Sequence, residues 1–441
     1  MPWQRRVRQA GPMAVAVLAA VAVRIVVLGF ESGDYQHFIK PWYDFIATHG
    51  GFAALAHRFS DYNVPYLYLL ALLTYLPVPA LVGVKIISVA FDLVLAYFVH
   101  RIVALRHGGS RLPSLAAVVV LFLPTVAVNS GMWGQADAIY AAFGVGGVYF
   151  VLRRRPWLAG AFFGLSLAFK LQAVFLFPLL LALVLKKWMP WRTLLAVPAT
   201  VALAAVPALA VGAPLGELLS VYVHQTAEYT ALTLNAPSIY QFLPADADAA
   251  VIRPLGVGVA GVVVLGLCLA VGLSRERLTV PRVVLMAAAT ALLVPFLLPS
   301  MHERYFYVAE VLTVVAAFHR PRLWYVPVLV QVASSLAYLH VLLPPSGPRS
   351  AEFAPTAEFR VLAALMAVAC ASLLWATFQE FRRPVTQACP GLESPSEAAP
   401  PSSSAVEPGA TADPSPVRRS GCTPPAARCR TGRRGTRQRG R

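Results

Sequence analysis

Residues 5–30, with the sequence RRVRQAGPMAVAVLAAVAVRIVVLGF, decide the class of fold. Three arginines precede an apolar run that is long enough to cross a bilayer core of roughly 30 Å. The run is too long for the apolar part of a signal peptide, and no small-residue cleavage site closes it. We therefore expect a retained first transmembrane helix at 11–30. Its preceding arginines lie on the cytoplasmic side, where basic residues accumulate.

The composition of the whole chain agrees with this class. Of 441 residues, 58% are hydrophobic and only 13% are charged, whereas soluble domains are about half apolar and a quarter charged. The net charge of +17 does not indicate nucleic-acid binding, because nine arginines lie in the last 24 residues and others flank apolar runs. The sequence therefore predicts an all-α polytopic membrane protein.

Short basic loops set the orientation of the later spans. Arginine or lysine residues cluster between apolar runs at 101–111, 153–155, 186–187, 275–277 and 320–322. Since the basic residues of short loops stay in the cytoplasm, we predict about twelve transmembrane helices with both termini inside the cell. The predicted spans are 11–30, 82–104, 113–129, 131–152, 157–169, 171–185, 193–212, 254–273, 283–299, 305–318, 323–343 and 360–378.

The first outer segment, residues 31–81, is long and contains one short apolar run at 65–77. A span needs about 20 residues, and a crossing here would place the basic loop at 101–111 outside. We predict that 65–77 is a re-entrant or surface helix. The short spans 157–169 and 171–185 predict a hairpin whose outer tip carries Lys170 and Gln172.

The composition changes at residue 384. Residues 1–383 form the predicted membrane-embedded domain, and 384–441 are rich in proline, serine and arginine. Such a segment cannot bury a core, so we expect a disordered cytoplasmic tail. The tail is either simply solvated or touches anionic lipid headgroups. The five cysteines show neither metal spacing nor a disulfide framework, which predicts free thiols.

Polar residues of the predicted membrane domain collect on the outer side. The stretch PSMHERYFYVAEVL (299–312) places an imidazole, a carboxylate and a guanidinium side by side at His302, Glu303 and Arg304. Charges this close to lipid are costly and usually mark a functional site. Because arginine fits phosphate through a planar fork, Arg304 and His302 are candidates for binding phosphate, with Glu303 orienting or neutralising Arg304. The alternative is a polar helix end without a further role.

Other outer residues each carry two interpretations. Asp34 is either a catalytic base or an ordinary loop carboxylate, and Asp61 is either its substitute or the cap of the following helix. Gln135 and Asp137 either shape a pocket or bridge neighbouring helices. Lys170 either assists phosphate binding or extends its charge to the interface. Lys40, Tyr35, Gln172 and Asn235 complete the outer set, and the resemblance given next implies phosphate contact for Lys40 and sugar or acceptor contact for the other three.

Six of these stretches together resemble one family. In order they are GDYQHF (33–38), DYNVPYLY (61–68), WGQADAIY (133–140), FKLQAVFLFPLL (169–180), LNAPSIY (234–240) and HERYFY (302–307). The chain resembles the GT-C integral-membrane glycosyltransferases over roughly residues 12–380. The nearest group is the bacterial mannosyltransferases related to the second mannosyltransferase of GPI-anchor assembly. Two departures stand out: Asn63-Val64-Pro65 replaces the paired prolines common in relatives, and Arg304 replaces the lysine of more distant ones.

The resemblance implies an enzyme of the plasma membrane with its active site outside. The implied donor is a polyprenyl-phosphate-linked hexose, mannose by the nearer group, and the anomeric carbon is inverted. Asp34 is the expected base, with Asp61 in reserve. Arg304 and His302 contact phosphate, with Lys170 or Lys40 assisting, and Gln135, Asp137 and Asn235 shape the sugar pocket. No cofactor or divalent metal is expected, and the acceptor is a glycolipid, a cell-envelope glycan or a protein.

Three other functions stay open. A lipid-linked-sugar flippase or transporter needs polar groups along a path across the membrane, but the predicted spans offer few, chiefly Arg24, Lys85 and Asp92. An envelope glycan polymerase or ligase tends to carry its key groups in a later large loop. A non-catalytic subunit would tolerate the loss of Asp34.

Overall fold

The computed structural model describes residues 2–227, 229–343 and 356–382. The predicted tail at 384–441 lies outside these residues. The described part is dominated by helices, in agreement with the predicted class. The helices are α1 Pro2–Val26, α2 Lys40–Thr48, α3 Val64–Leu73, α4 Ala80–His107, α5 Leu112–Leu121, α6 Pro124–Ala127, α7 Asp137–Leu152, α8 Pro156–Phe169, α9 Phe177–Leu185, α10 Ala196–Ala210, α11 Leu215–Ala227, α12 Ala249–Leu273, α13 Val280–Leu297, α14 Tyr307–His319, α15 Tyr325–Leu342 and α16 Ala357–Arg382.

Six of the described helices are long and apolar enough to cross a membrane. A seventh candidate is the bent pair Leu112–Leu121 and Pro124–Trp133, whose two halves meet at 53°. Pro124 at the start of the second half accounts for the bend, since proline lacks the N–H that would continue the helix. The remaining apolar helices are shorter. The chain is therefore a multi-pass helical membrane protein by length and composition, and the count of twelve stays a prediction. The six are Ala80–His107, Trp191–Ala210, Ala249–Leu273, Val280–Leu297, Pro321–Leu342 and Ala357–Arg382.

The centre of the fold lies around α7, α13 and α14. Nearly every residue of these helices is buried, and α13 packs against both α14 and α16. By contrast, α10 and α12 expose most of their apolar side chains, as expected for helices that face lipid. The predicted hairpin does not pack as a pair: α8 packs against α7 and α10, whereas α9 packs against α12 and α13.

The first outer segment builds its own small core. A one-turn π-helix at Tyr35–Ile39 leads into α2, and a 3-10 turn at Gly51–Ala56 precedes α3. Tyr35, Trp42, Ile46 and Leu70 meet there in a buried cluster. The helix predicted at 65–77 is α3 and ends at Leu73. This core fixes the backbone on both sides of Asp34 and Asp61.

Two charged side chains of the spans serve the fold. Arg24 of α1 forms an ion pair with Asp92 of α4 at 2.8 Å. Lys85 of α4 donates to the carbonyls of Val27, Leu28 and Phe30, just after α1 ends. Carbonyls at a helix end lack intrahelical partners, so Lys85 satisfies them. Arg24 lies in the last turn of α1, and the charged side chains Arg24, Lys85 and Asp92 all have partners within the fold.

A short parallel pairing joins two distant parts of the chain. Strand β1, Thr233–Leu234, pairs with β2, Met301–His302, in the register Thr233 to Met301 and Leu234 to His302. Asn235 continues the contact to His302 as an isolated bridge. Asn235 and Ser300 adopt left-handed backbone conformations at φ 58° and 59°, so each turns the chain sharply at the edge of this pairing.

Candidate active site

Asp34 and Arg304 lie together, although they come from opposite ends of the described chain. Arg304 Nη1 is 3.6 Å from Asp34 Oδ2. The same Asp34 oxygen accepts hydrogen bonds from the Gln135 side-chain amide and from the Trp133 indole, the latter at 3.2 Å. The Asp34 side chain keeps 28% of its surface exposed. Its other oxygen has no hydrogen-bond partner among the described residues, so it is open to a ligand.

A π-helical turn that ends at a left-handed glycine positions the side chains of Trp133 and Gln135 against Asp34. A π-helical turn at Val128–Trp133 ends at Gly134, whose φ is 77°. This left-handed conformation favours glycine, and a β-carbon there would meet Val84 and Lys85 at contact distance. Gly134 therefore allows the chain to reverse so that residues on either side of it reach one carboxylate oxygen.

Arg304 is held from three sides. Its Nη1 atom is 3.0 Å from Glu303 Oε1, and its guanidinium lies 5.4 Å from the centre of the Trp133 ring. Burial opposes its charge, but Asp34 and Glu303 outweigh burial and raise the pKa of Arg304. Its Nε atom is buried without a hydrogen-bond partner. The side chain is thus a fixed cation with a donor to spare, which suits an anionic ligand.

His302 lies beside this cation in its neutral form. Burial chiefly lowers the pKa of His302, and Arg304 adds to this effect, although Glu303 acts in the opposite direction. Its Nδ1 atom is 3.7 Å from Glu303 Oε2, and its buried Nε2 atom has no partner. The rings of Tyr229 and Tyr305 contact it edge-on. His302 therefore presents a second unsatisfied nitrogen in the same cluster.

Lys170 and Asp137 form a separate, buried pair. Lys170 Nζ is 2.5 Å from Asp137 Oδ1, and Asn129 donates to Asp137 Oδ2 at 2.9 Å. Both oxygens of Asp137 are thereby engaged, which favours the interpretation in which it bridges neighbouring helices. Lys170 does not extend its charge to the interface, because it is only 8% exposed. Its ammonium lies 5.9 Å from the ring of Tyr62.

Asp61 and Tyr62 approach the cluster from the first outer segment. The Tyr62 hydroxyl donates to Gln135 Oε1 at 3.5 Å. Burial raises the pKa of Asp61, and the charge of Asp34 adds to it. The alternative in which Asp61 caps the next helix is wrong, because α3 begins after Asn63 and has no side-chain cap. The two candidate bases therefore interact electrostatically.

Of the four remaining predicted residues, some lie beside this cluster and others do not. Lys40 is exposed and forms no ion pair with any described residue, while Tyr35 lies in the small outer core. Asn235 is buried and touches His302 through backbone pairing. Gln172 follows Lys170 in a 3-10 turn and has a buried Oε1 atom without a partner. The structure does not bring Lys40 or Tyr35 to Arg304.

Two residues with notable surroundings were not among the predicted site residues, Trp133 and Glu310. Trp133 stands in the motif WGQADAIY, and its place beside Gln135 was the available signal. Glu310 lies in α14 with no exposed surface, close to the hydroxyl groups of Thr125 and Ser334. It was readable as a single carboxylate within an apolar run.

The cluster as a whole combines a partly exposed carboxylate, a buried guanidinium and a buried imidazole. Across 2–227, 229–343 and 356–382, no group of three or more histidine, cysteine or acidic residues is arranged to hold a metal ion. No protein-family model matches the chain, and no curated protein matches it.

Proposed function

We propose that the protein is a GT-C-like glycosyltransferase with about twelve transmembrane helices, acting at the outer face of the plasma membrane. It transfers a hexose, by resemblance mannose, from a polyprenyl-phosphate donor to an acceptor hydroxyl, with inversion. The observation that carries the proposal is the 3.6 Å approach of Arg304 to Asp34. A phosphate-binding cation and a potential base meet there, although they are far apart in sequence.

The chemistry assigns a task to each partner. The acceptor oxygen attacks the anomeric carbon while Asp34 takes its proton. The bond from that carbon to the phosphate oxygen breaks, and polyprenyl phosphate leaves with the bonding electrons. Arg304 stabilises the charge that develops on this phosphate. Glu303 keeps the guanidinium oriented, and His302 Nε2 offers a further contact to the phosphate or sugar.

Inversion requires that the bound donor breaks the contact between Asp34 and Arg304. Attack from the face opposite the phosphate places the base and the phosphate ligand on opposite sides of the anomeric carbon. The gap between Asp34 and Arg304 is too small for a sugar ring. We therefore expect the donor phosphate to replace Asp34 as the partner of Arg304, which frees the carboxylate for the acceptor. Glu303 stays bound to Arg304 throughout.

The first experiment compares membranes containing wild type, Asp34→Asn and Arg304→Ala. Each receives radiolabelled polyprenyl-phosphate-mannose, and transfer into lipid, glycan and protein fractions is counted. Loss of a general base lowers the rate by about a hundredfold or more, so Asp34→Asn is expected to fall by that amount. Asp44→Asn is the matched control, because Asp44 is exposed in the same outer segment.

The outcomes separate the proposals. Full transfer by Asp34→Asn moves the base to another residue, with Asp61→Asn tested next. Absence of transfer by wild type from mannosyl, glucosyl and arabinosyl donors rejects the glycosyltransferase.

One observation favours a second candidate, a lipid-linked-sugar transporter. Glu310 is a buried carboxyl group in the helical core, and no ion pair involves it among the described residues. Ionisable groups in such places often bind protons or ions during transport. Movement of a fluorescent lipid-linked sugar across reconstituted vesicles, lost in Glu310→Gln, would support transport. Equal movement by protein-free vesicles would reject it.

A further inference from the structure

A cavity of about 460 Å³ opens beside Asp61 and Tyr62. Its walls are formed by residues 55–67 of the first outer segment and by residues 213–224, which include most of α11. Tyr62 lines the cavity, and its hydroxyl bonds Gln135, the residue that holds Asp34. Asp61 lines it as well. A ligand in this cavity therefore contacts Asp61 directly and is linked to Asp34 through Tyr62 and Gln135.

The size and lining of the cavity fit a small polar headgroup. Its volume falls within the range of about 300–1,000 Å³ that is usual for small-molecule sites. The carboxylates of Asp61 and Glu217 accept hydrogen bonds from hydroxyl groups. The rings of Phe59 and Tyr62 offer apolar surfaces against which one face of a sugar packs. These groups together suit a carbohydrate.

Helix α11 places this cavity at the membrane surface. Leu215, Leu219 and Val223 follow one another at four-residue spacing and are 56%, 60% and 67% exposed. Residues of the opposite face, among them Glu217 and Val221, line the cavity. A helix with one apolar and one polar face lies in the plane of the bilayer interface. Its apolar row therefore faces lipid while its other face covers the cavity.

Two hydrogen bonds hold α11 in this position. The Gln225 side chain donates to the Asp61 carbonyl at 2.8 Å, and the Tyr222 hydroxyl donates to the Leu167 carbonyl at 3.4 Å. The helix is thus attached both to the segment that carries one candidate base and to the helix that precedes Lys170. A molecule entering under α11 arrives from the lipid side with its polar end toward Asp61.

We infer that this cavity binds the acceptor, and that the acceptor is a sugar headgroup carried on a lipid. The inference rests on the proposed function, because it assigns the second substrate of the same reaction. In the proposed reaction the donor phosphate binds Arg304, which does not line this cavity. The lipid part of the acceptor extends past α11 into the bilayer, and a sugar hydroxyl is presented toward the bases.

The test uses full-length protein in lipid nanodiscs and a direct binding probe. The probe is an alkyl mannoside with a photoactivatable diazirine in its alkyl chain. Labelled peptides are mapped by mass spectrometry. Val221→Trp fills the cavity, and Val223→Trp is its matched control because it adds the same side chain to the lipid-facing side of the same helix. Glu217→Gln, which preserves volume, tests the headgroup contact.

The expected result is labelling of 55–67 and 213–224 in wild type and Val223→Trp. Half-maximal labelling should need about tenfold more probe in Val221→Trp, a change worth about 1.4 kcal/mol. Excess methyl mannoside should compete weakly, and an alkyl diazirine without the sugar should not label these segments.

Binding and transfer are scored separately. Equal labelling of Val221→Trp and wild type overturns the acceptor site, even if transfer by wild type is normal. Sugar transfer confined to a peptide fraction also overturns it. Specific labelling without transfer from any donor rejects the proposed glycosyltransferase but leaves a glycolipid-binding cavity.

Discussion

The protein contains two arginine–aspartate pairs that differ in how many of their polar atoms have hydrogen-bond partners. In the inner pair, Arg24 donates to Asp92, Ser130 and two backbone carbonyls, and Asp92 also accepts from Ser130 and Tyr307. Its side chains are 3% and 1% exposed. In the outer pair, Asp34 is 28% exposed and Arg304 Nε has no partner.

This difference separates a structural site from a candidate functional site. Every guanidinium nitrogen of Arg24 has a partner in the inner pair, which ties α1, α4, the 128–133 turn and α14 together. The outer pair is longer, at 3.6 Å against 2.8 Å, and retains one free carboxylate oxygen. A ligand phosphate can therefore exchange with Asp34 in the outer pair, whereas no group can enter the inner pair without unfolding it.

The same substitution in both pairs should give the largest contrast. Asp92→Asn leaves Arg24 buried without its counter-charge, and breaking a buried pair costs about 3–5 kcal/mol. Asp34→Asn leaves Arg304 bound to Glu303, so its cost should stay below about 1 kcal/mol. Thermal unfolding and folded yield in membranes measure both. Equal stability losses would mean that the outer pair is structural as well.

Activity should show the opposite contrast in any variant that folds. Asp34→Asn is expected to lose about a hundredfold or more in transfer rate, which corresponds to about 2.7 kcal/mol in the barrier. Ser130→Ala removes two hydrogen bonds of the inner pair, one to each partner, and should leave the rate per folded molecule unchanged. A matching fall in Ser130→Ala, measured after correction for folded protein, would break the distinction between the two pairs.

A smaller effect is expected when Arg304 keeps its charge but loses its planar fork. Arg304→Lys cannot bind phosphate through two parallel hydrogen bonds, and we expect the KM for the donor to rise by about tenfold. Arg253→Lys is the control, because Arg253 lies near the same surface and binds Ser300 instead. An unchanged KM in Arg304→Lys would show that a point charge suffices.

The class of fold and most of the outer cluster were predictable for a physical reason. Lipid excludes unpaired charge, so apolar runs and basic loops reveal the spans, and charged residues that remain near the membrane must share a polar site. Asp34, Gln135 and Arg304 meet in this way. Lys170 was expected near phosphate, but it pairs with Asp137. The sequence could not show this pairing, because no spacing along the chain reveals which residues of different helices meet.

Other features depend on packing that local sequence does not encode. The partner of Arg24 is 68 residues away in α4, so its role in the fold was not readable from its own span. Glu310 stands out in the sequence as a single carboxylate in an apolar run, but the sequence does not show which groups surround it. The cavity under α11 arises from two segments that are about 150 residues apart, and only the fold brings them together.

The smallest expected effect concerns Asp61, which forms no ion pair with any described residue. Burial, aided by Asp34, raises its pKa above the ordinary value near 4. A raised pKa in the folded state means that folding favours the protonated form. The free energy of unfolding is therefore not reduced by Asp61 at low pH, and it falls as pH rises through the pKa of Asp61 and the buried carboxyl group becomes charged.

Asp61→Asn should match wild type in Tm at pH about 4 and exceed it slightly at pH about 7. Asp44→Asn, at an exposed position of the same segment, is the matched control. Parallel curves for Asp61→Asn and wild type would show that burial does not raise the pKa of Asp61. Divergent curves would show that it does, and Asp61 would then differ from both arginine-paired aspartates, since no described residue forms an ion pair with it.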